Sequence, residues 1–125
     1  MNKYKILIVE DDKDLRLSLR ELLETQDYIV AEAEDGREAE SILLNNSYDL
    51  ILTDILMPEK DGLELIQEIM KADHPTKVIA VSGGGMVVHD YFLKEAKKYP
   101  AVKACLMKPF SAEELFETVK RILVS

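Results

Sequence analysis

The residues able to do chemistry are carboxylates at Glu10, Asp11, Asp12 and Asp54, a hydroxyl at Ser82 and an amine at Lys108, and each stands at the end of a short apolar run. Carboxylates crowded together repel, so a member of the group must take up a proton or the group must share a hard cation. Mg2+ suits such a set, because it takes oxygen ligands, uses one or two carboxylates and keeps several waters. Zinc does not, for lack of nearby His or Cys. A lysine and a small hydroxyl on the same edge would offer a cation and a hydrogen-bond donor to the equatorial oxygens of a transferring phosphoryl group. Asp54 is then the candidate nucleophile, giving an aspartyl phosphate. Taken singly, these residues have plainer uses: an acidic residue after a strand caps a helix, and a lone strand-end Asp sits in a turn. Only their joint placement points to chemistry.

The elements that must position them show in the hydropathy pattern. Continuous apolar runs at Lys5 to Val9, Tyr28 to Ala31, Leu50 to Thr53, Lys77 to Val81 and Ala104 to Met107 suit parallel strands covered on both faces. Segments with helical spacing lie between and after them: Leu15, Leu19, Leu22 and Leu23; Ala39, Ile42 and Leu43; Leu63, Ile66, Ile69 and Met70; Leu115, Val119 and Ile122. Ser111 with Glu114 three residues on reads as a capping box for the last. A further helix is expected around His89 to Tyr99. Alternation of this kind predicts an α/β fold, a doubly wound five-stranded parallel sheet with helices on both faces. In such a sheet ligands bind at the carboxyl edge, at the switch in strand order. With the order 2-1-3-4-5, Asp11 and Asp54 become neighbours there.

Composition bounds what the chain can be. Its 125 residues, 47% hydrophobic, predict one domain over residues 1–125, with no repeat or linker dividing it. The 16 basic against 24 acidic residues, a formal charge of −8, exclude direct nucleic-acid binding as a primary role, since that needs clustered Lys and Arg. A single cysteine permits no internal disulfide and fits a reducing, cytoplasmic location. No stretch reaches the roughly 18 apolar residues of a membrane span, and no signal-peptide core is present.

Four motifs give the chain a family resemblance: Ile6-Leu7-Ile8-Val9-Glu10-Asp11-Asp12 with Arg16 following; Leu52-Thr53-Asp54-Ile55-Leu56-Met57-Pro58 followed by Asp61-Gly62-Leu63; Ile79-Ala80-Val81-Ser82-Gly83; and Met107-Lys108-Pro109-Phe110. They span essentially the whole chain, which resembles a response-regulator receiver domain of the flavodoxin-like (βα)5 kind, an acceptor of phosphate in two-component signalling. The resemblance implies that Asp54 is the phosphoacceptor, that Asp11 ligates Mg2+ directly with Glu10 assisting through water, and that the Leu56 carbonyl completes the protein's share of the metal shell. It implies that Lys108 pairs with one phosphoryl oxygen, that Ser82 bonds another, and that the Lys108-Pro109 bond is cis. The implied partners are a sensor histidine kinase or histidine phosphotransfer protein and a downstream protein, with the chain a monomer or a weak phosphorylation-dependent dimer. Such a domain is a switch that assists its own phosphorylation and dephosphorylation, not a turnover enzyme. Its response is implied to pass through Ser82 and Lys108 to the face made by the His89 to Tyr99 segment, the last strand and the last helix.

Some positions depart from the family pattern. Cys105 stands three places before Lys108, where an aromatic is frequent, and reads as a small buried hydrophobe. Gly83 to Gly85 make a permissive loop, which is expected to carry the response in place of an aromatic. Leu56 and Gly84 occupy the positions that tune acyl-phosphate lifetime in the family, and neither can hold a hydrolytic water. Asp12 reads as a helix cap, Met57 as packing, Pro58 as a turn-former, His74 and His89 as surface, and Lys94 to Lys98 as a solvated face. Three alternatives stand beside this reading. A haloacid-dehalogenase-like phosphohydrolase wants its nucleophilic Asp at the place held by Glu10. A flavodoxin-like FMN carrier wants a hydroxyl-rich loop where Glu10-Asp11-Asp12 stands. A pseudo-receiver would bind partners without being phosphorylated. The chain is either a stand-alone regulator or part of a larger protein.

Overall fold

The computed structural model describes residues 3–55, 62–71, 76–83, 90–91, 94–95 and 98–125. Along the chain they form β1 (Lys5–Val9), α1 (Lys13–Thr25), β2 (Ile29–Ala33), α2 (Gly36–Asn45), β3 (Leu50–Asp54), α3 (Gly62–Lys71), β4 (Lys77–Ser82), β5 (Val102–Met107) and α4 (Ala112–Leu123). The strands make one parallel sheet in the order β2-β1-β3-β4-β5, the predicted doubly wound arrangement. Of the helix expected around His89 to Tyr99, Asp90, Tyr91, Lys94 and Glu95 are helical, whereas Phe92, Leu93, Ala96 and Lys97 lie outside the described residues. So do Leu56, Met57, Pro58, His74, Gly84, Gly85 and His89.

Alternation along the strands builds a core on each side of the sheet. Ile6 and Ile8 of β1 face the layer of α1 and α4, meeting Leu19, Leu23, Leu115, Val119 and Ile122. Leu7 and Val9 face the other way, onto Ala39 of α2 and Leu65, Ile66 and Ile69 of α3. Each fully buried Leu or Ile contributes about 1.5–3 kcal/mol of transfer free energy, so the central strands, apolar on both faces, hold the sheet at its middle.

Local signals set the helix starts. The Asp12 carboxylate accepts from the amides of Asp14 and Leu15 at 3.0 and 3.1 Å, as expected of a cap. Ser111 Oγ accepts from the Glu114 amide at 3.0 Å. Asp35 does the same for α2 through the Glu38 amide at 2.9 Å. β3 and β4 each run one residue past their predicted ends, and two strands differ from their predicted spans by two residues at one end. β2 continues through Glu32 to Ala33 because Glu32 is matched by arginines of α1, so its charge does not end the strand. β5 begins at Val102, and exposed Lys103 interrupts the apolar run that would have shown it.

Candidate functional site

Parallel pairing brings the strand ends into one place. Val9 lies opposite Thr53, and Asp54 opposite Val81, so the residues that follow β1 and close β3 share the carboxyl edge. Glu10 extends the ladder by one bond, its amide donating to the Ala33 carbonyl at 3.1 Å. The next amide along β3, that of Ile55, donates to the Val81 carbonyl at 3.0 Å. Asp54 is therefore held by backbone on both sides and is 6% exposed, and Glu10 is 2% exposed.

Glu10, Asp11 and Asp54 each present a ligand atom, all within 4.8 Å of one another. Lys108 reaches into this group: Nζ lies 2.8 Å from Glu10 Oε1 and 2.8 Å from Asp54 Oδ2. The remaining Glu10 oxygen accepts from the Asp12 amide at 3.0 Å. Burial pushes the Glu10 carboxyl up to about 7; Lys108 and the Asp12 amide pull against it, while the Asp11 side chain and the Asp54 charge push with it. Burial works against the Lys108 ammonium too, yet its bonds to Asp54 and Glu10 outweigh that and hold it above its ordinary value. A carboxyl displaced this far toward neutrality reports chiefly its removal from water, with the neighbouring carboxylates adding to the effect. Such a set of oxygen donors, with one exposed member at Asp11, fits a hard divalent cation of the Mg2+ type and offers no nitrogen or sulfur for a softer metal.

The main chain that carries the lysine is tied to the same edge. Ser82 pairs with Met107, its carbonyl accepts from the Lys108 amide at 2.7 Å, and its residue is 2% exposed. The Lys108-Pro109 bond is cis, as the resemblance implied. A Cβ placed at Gly83 would meet Lys108 Cδ at 3.6 Å, an ordinary contact. Cys105 is half-buried beside Ile55 and Ala80, a packing position but not a sealed one. Sequence reasoning noted Arg16 only as part of a motif and passed over Glu32. Arg16 Nη1 donates to the Glu10 carbonyl at 2.8 Å and Nε to Glu32 Oε1 at 3.1 Å. An acidic residue directly after the apolar run of a strand, with two arginines one turn apart on the preceding helix, was the available signal.

Among the described residues, no helix is long and apolar enough to cross a membrane. The chain is similar to the chemotaxis protein CheY of Listeria monocytogenes, 37% identical over 121 residues that cover 94% of this chain and 96% of that protein. It is also similar to the transcriptional regulatory protein ResD of Bacillus subtilis, 36% identical over 126 residues, but it spans only about half (49%) of that protein's length. A solved structure of the response regulator protein TrrA of Thermotoga maritima, in complex with Mg2+ and BeF, superposes with a TM-score of 0.82 at 31% identity, covering 95% of this chain and 98% of that one. The sequence pattern of the response regulator receiver domain matches residues 6–120, well over half of the chain, which therefore belongs to that family.

Proposed function

We propose that Asp54 accepts a phosphoryl group from a phosphohistidine on a sensor histidine kinase or a histidine phosphotransfer protein. The observation that carries this reading is the placement of Lys108 Nζ at 2.8 Å from both the Asp54 and the Glu10 carboxylates. One cation there neutralises the acceptor in the resting state and lies within reach of an oxygen of an incoming phosphoryl group. In the transfer, a bond forms between an Asp54 carboxylate oxygen and phosphorus as the bond from phosphorus to the donor's imidazole nitrogen breaks, and the electron pair returns to that nitrogen. Lys108 then shifts its hydrogen bond from the carboxylate to a phosphoryl oxygen, and the Ser82 hydroxyl donates to another. Glu10 and Asp11, with Asp54, would hold Mg2+. The ion's contribution is to offset negative charge between the acceptor and the phosphoryl oxygens.

Receiver domains are phosphoacceptor switches and not enzymes in the ordinary sense. The self-catalysed part of phosphorylation and dephosphorylation is proposed for this chain on the strength of its Lys108 and carboxylate geometry. We also propose that residues 1–125 act as one receiver unit in the cytoplasm, as a monomer or a weak phosphorylation-dependent dimer, and signal to a downstream protein. A cleft of about 370 Å3, lined by Leu15, Leu19 and Leu22 of α1 with Pro109, Phe110 and Leu115, opens beside Lys108. Its apolar lining suits a protein donor.

The test is labelling of the purified chain by acetyl phosphate or a charged phosphotransfer protein, read by intact mass. Wild type should take up one phosphoryl group in the presence of Mg2+, and Asp54→Asn should remain folded and take up none. Stoichiometric labelling of Asp54→Asn would move the acceptor elsewhere. A wild type that stays unlabelled under every donor would favour the pseudo-receiver alternative.

A further inference from the structure

We propose that Arg16 is a positioning residue for the acidic corner: by tying the Glu10 carbonyl to Glu32 of β2, it sets the direction in which Asp11 presents its carboxylate. The inference rests on the reading of Glu10, Asp11 and Asp54 as a Mg2+ site.

Arg16 sits in the first turns of α1 and could extend into solvent, yet its side chain is only 13% exposed and that of Glu32 18%. Its fork is divided between two tasks. Nη1 donates to the Glu10 carbonyl at 2.8 Å, and Nε donates to Glu32 Oε1 at 3.1 Å. Glu32 is in turn held on its other oxygen by Arg20 Nη1 at 2.6 Å. The guanidinium that grips the Glu10 carbonyl is thus itself gripped by a strand of the sheet.

The consequence passes through one peptide unit. The Glu10 carbonyl, the Asp11 amide and the Asp11 Cα lie in one plane, so a bond that fixes the carbonyl oxygen fixes where Asp11 begins. The Glu10 amide is already fixed to Ala33 of β2 at 3.1 Å, and the Arg16 bond removes the remaining rotation about that residue. Asp11 is an exposed residue, so burial does little to orient its side chain, yet its ligand atom lies within 4.8 Å of those of Glu10 and Asp54. Lysine could not replace arginine here, since a single nitrogen cannot serve a carbonyl and a carboxylate in two directions while holding a plane.

Electrostatics and positioning predict opposite signs. Removing a cation beside a metal site should tighten Mg2+ binding if charge were its only role. Loss of an outer group that orients a ligand should weaken it, about tenfold. The experiment titrates Mg2+ alone into the full chain and compares wild type with Arg16→Met, Arg16→Lys and Arg20→Met, following amide shifts by NMR. Arg16→Met and Arg16→Lys should both bind Mg2+ about tenfold more weakly. Arg20→Met breaks the same network on the far side of Glu32 and should stay within about twofold of wild type. In the metal-free chain, the Asp12 amide, which donates to Glu10 Oε2 at 3.0 Å, should exchange faster in both Arg16 variants and at the wild-type rate in Arg20→Met. Unchanged or tighter Mg2+ binding in Arg16→Lys, or the same loss in Arg20→Met, would overturn the proposal. Should Arg16→Met fail to fold, Arg16→Lys carries the test. An Asp11→Ala variant that binds Mg2+ as wild type does would sink the metal reading instead, and the Asp12 exchange rate would still decide what Arg16 holds.

Discussion

The two walls of the site are built differently. The carboxylate wall rises from β1 and β3, whose apolar residues are buried throughout and whose pairing runs without interruption from Ile6 to Val9 against Leu50 to Thr53. The lysine wall rises from β5, an edge strand with one neighbour, with Leu106 its one buried residue and with a register shift against β4 between Val78 and Ile79. Glu10 and Asp54 are therefore placed by the most tightly packed part of the molecule, and Lys108 by a strand with fewer restraints. The difference teaches that the proposed acceptor is preorganised and that the less restrained part of the site lies with the cation. On the proposed reading, a phosphoryl group arriving at Asp54 would displace the Lys108 contact, and the edge strand has fewer restraints to resist that than β3.

If the lysine wall supplies charge to a preformed acceptor, Lys108→Ala should leave Asp54 competent but slow. Labelling by a small phosphodonor should fall about a hundredfold to a thousandfold, the usual loss for one charge-stabilising donor. Rapid-quench or fluorescence kinetics would check this, and a loss as complete as that of Asp54→Asn would mean that Lys108 also holds the acceptor in place. A second comparison concerns packing. Leu52→Ala in β3, where the side chain is 1% exposed, should cost about 2–5 kcal/mol in denaturant unfolding, whereas Cys105→Ala in half-buried β5 should cost less than about 1 kcal/mol. Equal costs would erase the distinction between the walls.

A smaller effect than the loss at Leu52 is expected on the outer side of the carboxylate wall. The hydrogen bond from Arg20 holds the Glu32 carboxyl below its ordinary value of 4.5, against burial, with Arg16 adding to the shift. A carboxyl lowered in the folded state adds stability that is complete above its unfolded value and is lost as pH falls through its folded value. Wild type should therefore exceed Glu32→Gln by about 1 kcal/mol near neutral pH, and the gap should close in acid. Urea unfolding of both proteins across that range is the measurement, and a gap independent of pH would remove the ionised pair from the support of β2.

Much of this was legible locally. Apolar runs marked the strands to within one or two residues because a strand covered on both faces has few polar positions. Asp12 and Ser111 announced the helix starts because capping is a contact between near neighbours. Strand ends then nominated Glu10, Asp54, Ser82 and Lys108, since function in a parallel sheet gathers at one edge. The misplaced boundaries fell where a charge interrupts the pattern, at Glu32 and Lys103, because hydropathy carries no record of a distant partner.

Tertiary structure decided the rest. Amino-acid types determined that carboxylates, a hydroxyl and a lysine would each follow a strand, for periodicity encodes how each segment is buried. Only the folded sheet placed Lys108 Nζ midway between Glu10 and Asp54, pushed the Glu10 carboxyl up to about 7, and turned Arg16 from solvent to the Glu10 carbonyl. Those features depend on register, on the distance between strands far apart in the chain, and on the exclusion of water between them. None of the three is a property of any segment alone.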